Sequence, residues 1–159
     1  MSSIELFQNK TDCCGCSACY NVCPRKAISM QEDEYGYVYP VIDQDKCVGC
    51  GLCRKVCHYQ SDKELRTPIK AYAAAGKKEE FLKKAASGGM FSLVADKILE
   101  EGGVVFGVAM EYHNNTLIPK HIAVESKEEL FKLQGSKYVQ SFIGNTYAEA
   151  KKYLADGRK

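Results

Sequence analysis

Residues 13–24 read CCGCSACYNVCP, and residues 47–57 read CVGCGLCRKVC. Cys13, Cys16, Cys19 and Cys23 form C-x-x-C-x-x-C-x-x-x-C, and Cys47, Cys50, Cys53 and Cys57 repeat that spacing. Disulfide bonding, zinc binding and iron–sulfur ligation all crowd thiols in this way. The chain has nine cysteines, all between Cys13 and Cys57. An odd number leaves one over in any all-disulfide scheme. The N-terminus, MSSIELFQNKTD, lacks the basic region and apolar run of a secretory signal. A reducing, cytoplasmic compartment is therefore expected, where such a cluster holds metal. Structural zinc uses two Cys-x-x-Cys pairs across a longer loop and needs no third cysteine at the next step, twice over. The spacing is that of bacterial dicluster ferredoxins, so two 4Fe–4S clusters are expected. A zinc-stabilised interaction module is the alternative.

A 4Fe–4S cube needs four thiolates, one per iron. Three can come from one tight loop, whose x-x gaps wrap successive sulfurs around one face. The fourth cysteine of each run starts the next turn and points toward the neighbouring cube, so the ligand sets should cross. One cluster takes Cys13, Cys16, Cys19 and Cys57; the other takes Cys47, Cys50, Cys53 and Cys23. Gly15, Gly49 and Gly51 let backbone pass close to the inorganic core. Cys14 matches no ligand position and reads as a small side chain near the cluster. His58, where the first run has Pro24, reads as a polar cap.

The rest of the composition is ordinary. The 159 residues are 45% hydrophobic and 26% charged, which suits one or two small globular domains. A net charge of +2 suggests neither nucleic acid nor an anionic membrane as partner. No window approaches the roughly 20 apolar residues of a membrane span. No serine, cysteine or carboxylate constellation suggests a hydrolase.

Between the cysteine runs, Ala27 to Gln31 and Tyr37 to Ile42 read as extended segments of a hairpin, turned at Asp33, Glu34 and Gly36. Tyr20, Tyr35, Tyr37, Tyr39 and Tyr59 are expected to pack against the clusters. A boundary is expected near residues 61–68, where cysteine stops and charge rises. The expected division is a ferredoxin-type domain over 1–64 and a small α/β domain over 66–159, an α+β protein overall. In the second half, residues 69–75 (IKAYAAA) read as a strand. SGGMFSLVADKILEEGG (87–103) reads as a helix between glycines, with Met90, Phe91, Val94, Ile98 and Leu99 on its apolar face. Residues 104–110 and 117–124 read as strands around an HNN turn. Ser126 with Glu129, and Thr146 with Glu149, form candidate capping boxes, and Gly157 suits a helix stop. Ser87, Gly88 and Gly89 could present free N–H groups to a phosphate, although the same residues serve for capping alone. Lys137 and Tyr138 fall in a loop that could meet a phosphate or stack on a ring.

The order CCGCSACYNVCPRKAISM, YGYVYPVID, CVGCGLCRKVC, ASGGMFSLVADKILEEGGVVFGVAM and LQGSKYVQS resembles the coenzyme F420 hydrogenase/dehydrogenase beta-subunit family over nearly the whole chain. The resemblance implies a flavoprotein oxidoreductase in which iron–sulfur clusters exchange electrons with FAD, and the flavin exchanges hydride with a deazaflavin or another partner. It implies flavin contacts at Ser87, Gly88, Gly89 and Lys137, and a redox partner protein or flavin domain. Family members continue into a large C-terminal domain. The expectation is therefore an N-terminal part of a longer protein, or a shortened product, with an incomplete α/β half that holds FAD only in the longer protein.

Overall fold

The computed structural model describes residues 4–60 and 67–159. It divides into two compact units, Met1–Arg66 and Thr67–Lys159. The expected boundary falls largely on residues outside the described ones.

The first unit is a duplicated motif. Helix α1 (Ala18–Val22) follows the first cysteine loop, and α2 (Leu52–Val56) follows the second. Both begin after a left-handed residue, Ser17 (φ 60°, ψ 9°) and Gly51 (φ 73°, ψ 0°). Both end on the fourth cysteine of the run in matching extended geometry, Cys23 (φ −71°, ψ 108°) and Cys57 (φ −71°, ψ 117°). Left-handed backbone is easy for glycine and strained for serine. At Ser17 the surroundings hold it, because the residue is buried and its carbonyl accepts bonds from the Asn21 side chain and backbone, both at 3.0 Å.

Between the helices, β1 (Ile28–Glu32) and β2 (Val38–Ile42) pair antiparallel, Ile28 opposite Ile42 and Glu32 opposite Val38. Asp33 makes the turn: its carboxylate accepts the N–H groups of Tyr35 and Tyr37, both at 3.0 Å. Lys10 fixes that carboxylate at 2.8 Å. Leu6, Ile28 and Cys53 form the core, with Ile4, Phe7, Cys19, Tyr20, Val22, Cys23 and Ile42 packed against them. Cysteine side chains are thus part of the apolar core. The tyrosines divide: Tyr20 and Tyr39 are partly buried, whereas Tyr35, Tyr37 and Tyr59 are exposed, because the hairpin turn and the chain after Cys57 lie at the surface.

The second unit contains α3 (Glu79–Lys83), α4 (Met90–Glu100), β3 (Val105–His113), β4 (Thr116–Val124) and α5 (Thr146–Ala155). Strands β3 and β4 pair antiparallel from Val105 opposite Val124 to His113 opposite Thr116. Asn114 and Asn115 both have positive φ, the two-residue turn that matches strand twist. The core joins Ala95 and Leu99 of α4 to Ala109, Val124, Leu130 and Leu133. The sheet is antiparallel, with one isolated parallel bridge between Lys120 and Phe142, so the half expected to be α/β is built as α+β.

Three local expectations need correction. Residues 69–75 form no strand: no described strand runs beside them, and Ile69 and Tyr72 are exposed. An extended segment becomes a strand only when a neighbour satisfies its N–H and C=O groups. Neither capping box closes. Glu129 pairs with Lys132 and only a 3-10 turn, Leu130–Lys132, follows; the Thr146 hydroxyl turns back to the Ile143 carbonyl. Gly157 does stop α5, where Gly157 and Arg158 N–H groups donate to the Leu154 and Tyr153 carbonyls.

The buried face of α4 also differs from the periodic reading. Ser92, Ala95, Asp96 and Leu99 are buried, while Met90, Phe91 and Val94 are exposed. Small side chains let the helix approach the sheet, and Asp96 is tolerated there because Lys127 (2.7 Å) and Lys78 (3.4 Å) meet its carboxylate. Hydrogen bonding from Lys127 holds the Asp96 carboxyl below the ordinary aspartate value, against opposing desolvation. A depressed folded pKa gives stability that is present above the unfolded value, about 4, and is lost as pH falls through the folded value. Asp96→Asn should therefore lower the thermal midpoint at pH 7 by a few degrees and by progressively less below about pH 4. Melts at pH 3 and 7 test this; an equal shift at both would show that the charge plays no part.

Candidate metal centre

A cavity in the first unit is lined by Cys47, Cys50 and Cys53 from the second run together with Cys23 from the first. The turn that ends α1 swings Cys23 away from its own loop, and Ala27, Ile28, Ile42 and Leu52 supply apolar wall. On the other side, Cys57 lies close enough to Cys13 and Cys16 for its charge to act on both thiols. Cys19 feels Cys16 and Cys13, and also Cys53, so the two sets adjoin. Among the described residues no three His, Cys, Asp or Glu side chains gather as around a single ion.

The donor set fits a multinuclear group. Backbone N–H groups point at sulfur: Gly15 donates to Cys13 Sγ at 3.4 Å and Ala27 to Cys23 Sγ at 3.3 Å. Such bonds stabilise thiolate and cluster charge. Burial dominates the acidity of these thiols. It pushes the Cys13, Cys16 and Cys53 thiols up, and Cys19 up to about 12, with neighbouring cysteines adding to the effect.

In the second unit, a separate solvent-open cleft of about 880 Å³ is lined by Ser87, Gly88 and Gly89, at the start of α4, and by Leu133, Gln134, Gly135 and Ser136. Gly88 allows the close approach that shapes its wall: a Cβ there would overlap the Ala74 carbonyl oxygen and lie 3.1 Å from Ala75 Cα. Gly76 N–H donates to the Gly88 carbonyl at 2.7 Å. Lys137 does not line this cleft. Its ammonium donates to the Gln134 and Lys132 carbonyls at 2.8 and 3.3 Å, and desolvation lowers its pKa. The cation that does line the cleft is Lys84. Sequence reasoning missed it because nothing in residues 77–86 sets Lys84 apart from Lys77, Lys78 and Lys83.

A family model for a 4Fe-4S dicluster domain matches residues 12–61. The model for the N-terminal part of the coenzyme F420 hydrogenase/dehydrogenase beta subunit matches residues 71–145. The two models, in this order, match the family that the sequence resembles. Relatives of the chain include an uncharacterized ferredoxin of Methanocaldococcus jannaschii, 33% identical over 35% of the chain and 70% of the relative. A second, uncharacterized protein of that organism is 26% identical over 80% of the chain and 42% of the relative. A probable iron-sulfur protein of the Frd operon in Proteus vulgaris is 38% identical over 35% of the chain and 32% of the relative. The chain thus spans less than half the length of the last two. It carries an iron–sulfur, ferredoxin-type electron-transfer domain. No helix among the described residues is long and apolar enough to cross a membrane.

The duplication gives Cys14 a counterpart. The second run has Val48 at the equivalent position, so no ligand is required there. Cys14→Ser should keep the full iron content and both cluster signals. Loss of about half the iron would make Cys14 a ligand.

Proposed function

We propose that the chain is the electron-relay module of a flavin-dependent oxidoreductase of the coenzyme F420 hydrogenase/dehydrogenase beta-subunit type. Cys13, Cys16, Cys19 and Cys57 hold one 4Fe–4S cluster, and Cys47, Cys50, Cys53 and Cys23 hold the other. The observation that carries this reading is the cavity where Cys23 joins the second-run cysteines. Bound clusters supply one-electron carriers with all irons ligated by thiolate, which suits relay rather than substrate binding. The loops hold the sulfurs and aim N–H groups at them, with Ile28 and Ile42 as apolar wall. A redox partner, either a protein or a flavin domain, completes the circuit.

A second reading, a flavoenzyme in its own right, draws support from the cleft at Ser87, Gly88 and Gly89. Phosphate there would meet N–H groups at the start of the eleven-residue α4 and the nearby Lys84. Lys137, the fourth expected contact, would have to leave its two carbonyls. FAD also needs a wall for its ring and partners for its adenine and ribityl groups. An anaerobic absorbance spectrum, with iron and flavin quantified on the same sample, separates the readings. About eight irons per chain without flavin supports the relay. Stoichiometric flavin surviving gel filtration favours the flavoenzyme, and a colourless protein overturns both.

A further inference from the structure

We infer that the two cluster sites are electrically unequal: the second-run site has the higher reduction potential, and Arg25 sets the difference. This rests on the two-cluster reading above. Among the described residues, Arg25 is the charged one in the wall formed with Cys23, Cys47, Cys50 and Cys53, and no described carboxylate lines that cavity. Among the described residues no ion pair joins Arg25 to a carboxylate. The equivalent position after the other run is Tyr59, 34 residues on, a phenol where the first run has a guanidinium.

The flanking lysines that are paired, and the carboxylates before each run, do not reverse this asymmetry. Lys10 is paired with Asp33 and Lys46 with Asp43. One carboxylate then remains close before each run, Asp12 and Asp45. Arg54 shares its pocket with Asp12 and Glu5, so its field is offset beside the first run. Backbone N–H donors serve both sets. At the middle of each loop, exposure points the same way as charge, although at the third cysteine Cys53 is the more buried of the pair with Cys19. Cys50 and Gly49 are exposed, whereas the equivalent Cys16 is half-buried and Gly15 is buried.

Reduction adds one electron to a group already negative. An uncompensated cation in the wall favours that added charge, and so does contact with water. The first electron to enter should therefore reside at the second-run site. An electron passing from the first site to the second oxidises one by a single unit and reduces the other, with no bond or proton exchanged. The second site, through exposed Cys50 and Val48, then faces outside acceptors.

The test is an anaerobic redox titration of the reconstituted full chain with dithionite, followed by electron paramagnetic resonance, with iron assayed on the same sample. Two separate midpoints are expected. Arg25→Gln should lower the higher one and leave the lower in place, and Arg25→Lys should restore it. Because Arg25 is exposed, the gap should narrow at high salt, which a structural role would not cause. Asp12→Asn should raise the lower midpoint, and this arm stands even if Arg25→Gln takes up no iron. Coincident midpoints, or an Arg25→Gln shift confined to the lower one, would overturn the inference with the two-cluster reading intact. An iron content of one cluster or less would remove both, and the assay reads that independently of the potentials.

Discussion

Cys23→Ser should damage one cluster and spare the other, and the damaged one should be that of the distant run. The motif places Cys23 four residues after Cys19, yet the end of α1 delivers it to the cavity lined by Cys47, Cys50 and Cys53. Serine offers an oxygen where iron needs a soft thiolate, so the site should lose its cluster or hold it with an altered spectrum. About half the iron is at stake in each single variant. Cys57→Ser should do the reverse, changing the signal of the cluster at Cys13, Cys16 and Cys19. Electron paramagnetic resonance of the two reduced variants makes the comparison. If Cys23→Ser altered only the signal that Cys13→Ser also alters, each run would supply its own four ligands, and the exchange between runs would be wrong.

The second large effect is expected at Gly88, far in sequence from the cysteines. Alanine there puts a methyl against the Ala74 carbonyl oxygen and Ala75 Cα. Both obstacles are backbone, so no rotamer change relieves the clash. Residues 74–76 would have to move off the start of α4, losing the 2.7 Å bond from Gly76 N–H to the Gly88 carbonyl. Overpacking of this kind typically costs about 1–3 kcal/mol, and backbone obstacles put Gly88→Ala toward the upper end. In a unit of this size the thermal midpoint should fall by about 10 °C. Iron content should not change, because the substitution lies in the other unit. An unaltered melting curve would show that the 74–76 segment is not packed on this glycine. It would also leave the glycine pair to be explained by a ligand alone.

Much of the first unit was legible because its signals are local. The hairpin follows from Asp33, whose carboxylate caps N–H groups two and four residues on. The turn at Asn114 and Asn115 is legible for the same reason, since asparagine tolerates left-handed backbone. Local pattern misleads where a residue's role depends on what stands opposite. Met90, Phe91 and Val94 have helical spacing, but the face that meets the sheet is the one with Ser92 and Ala95, which permit a close approach. Asp96 looks like a solvent residue in a helical wheel, and two lysines distant in sequence allow it to be buried. Lys137 has the sequence setting of a residue free to meet an anion, but the fold brings the carbonyls of Lys132 and Gln134 within its reach.

By itself, the sequence determined the metal chemistry. Eight cysteines at a doubled spacing specify two iron–sulfur clusters because thiolate number and loop reach are properties of the covalent chain. The tertiary structure alone decided the surroundings of those thiols. It brings Cys23 to the second loop, buries Gly15 while exposing Gly49, and sets Arg25 in one cavity wall with no carboxylate among the described residues lining it. Burial and electrostatic pairing join residues that have no fixed separation along the chain, so no spacing encodes them. The same reason left Lys84 unmarked beside the α4 cleft and residues 69–75 without a strand partner. Ligand type is written in the order of residues, whereas the field and solvent around a ligand arise only when distant segments meet.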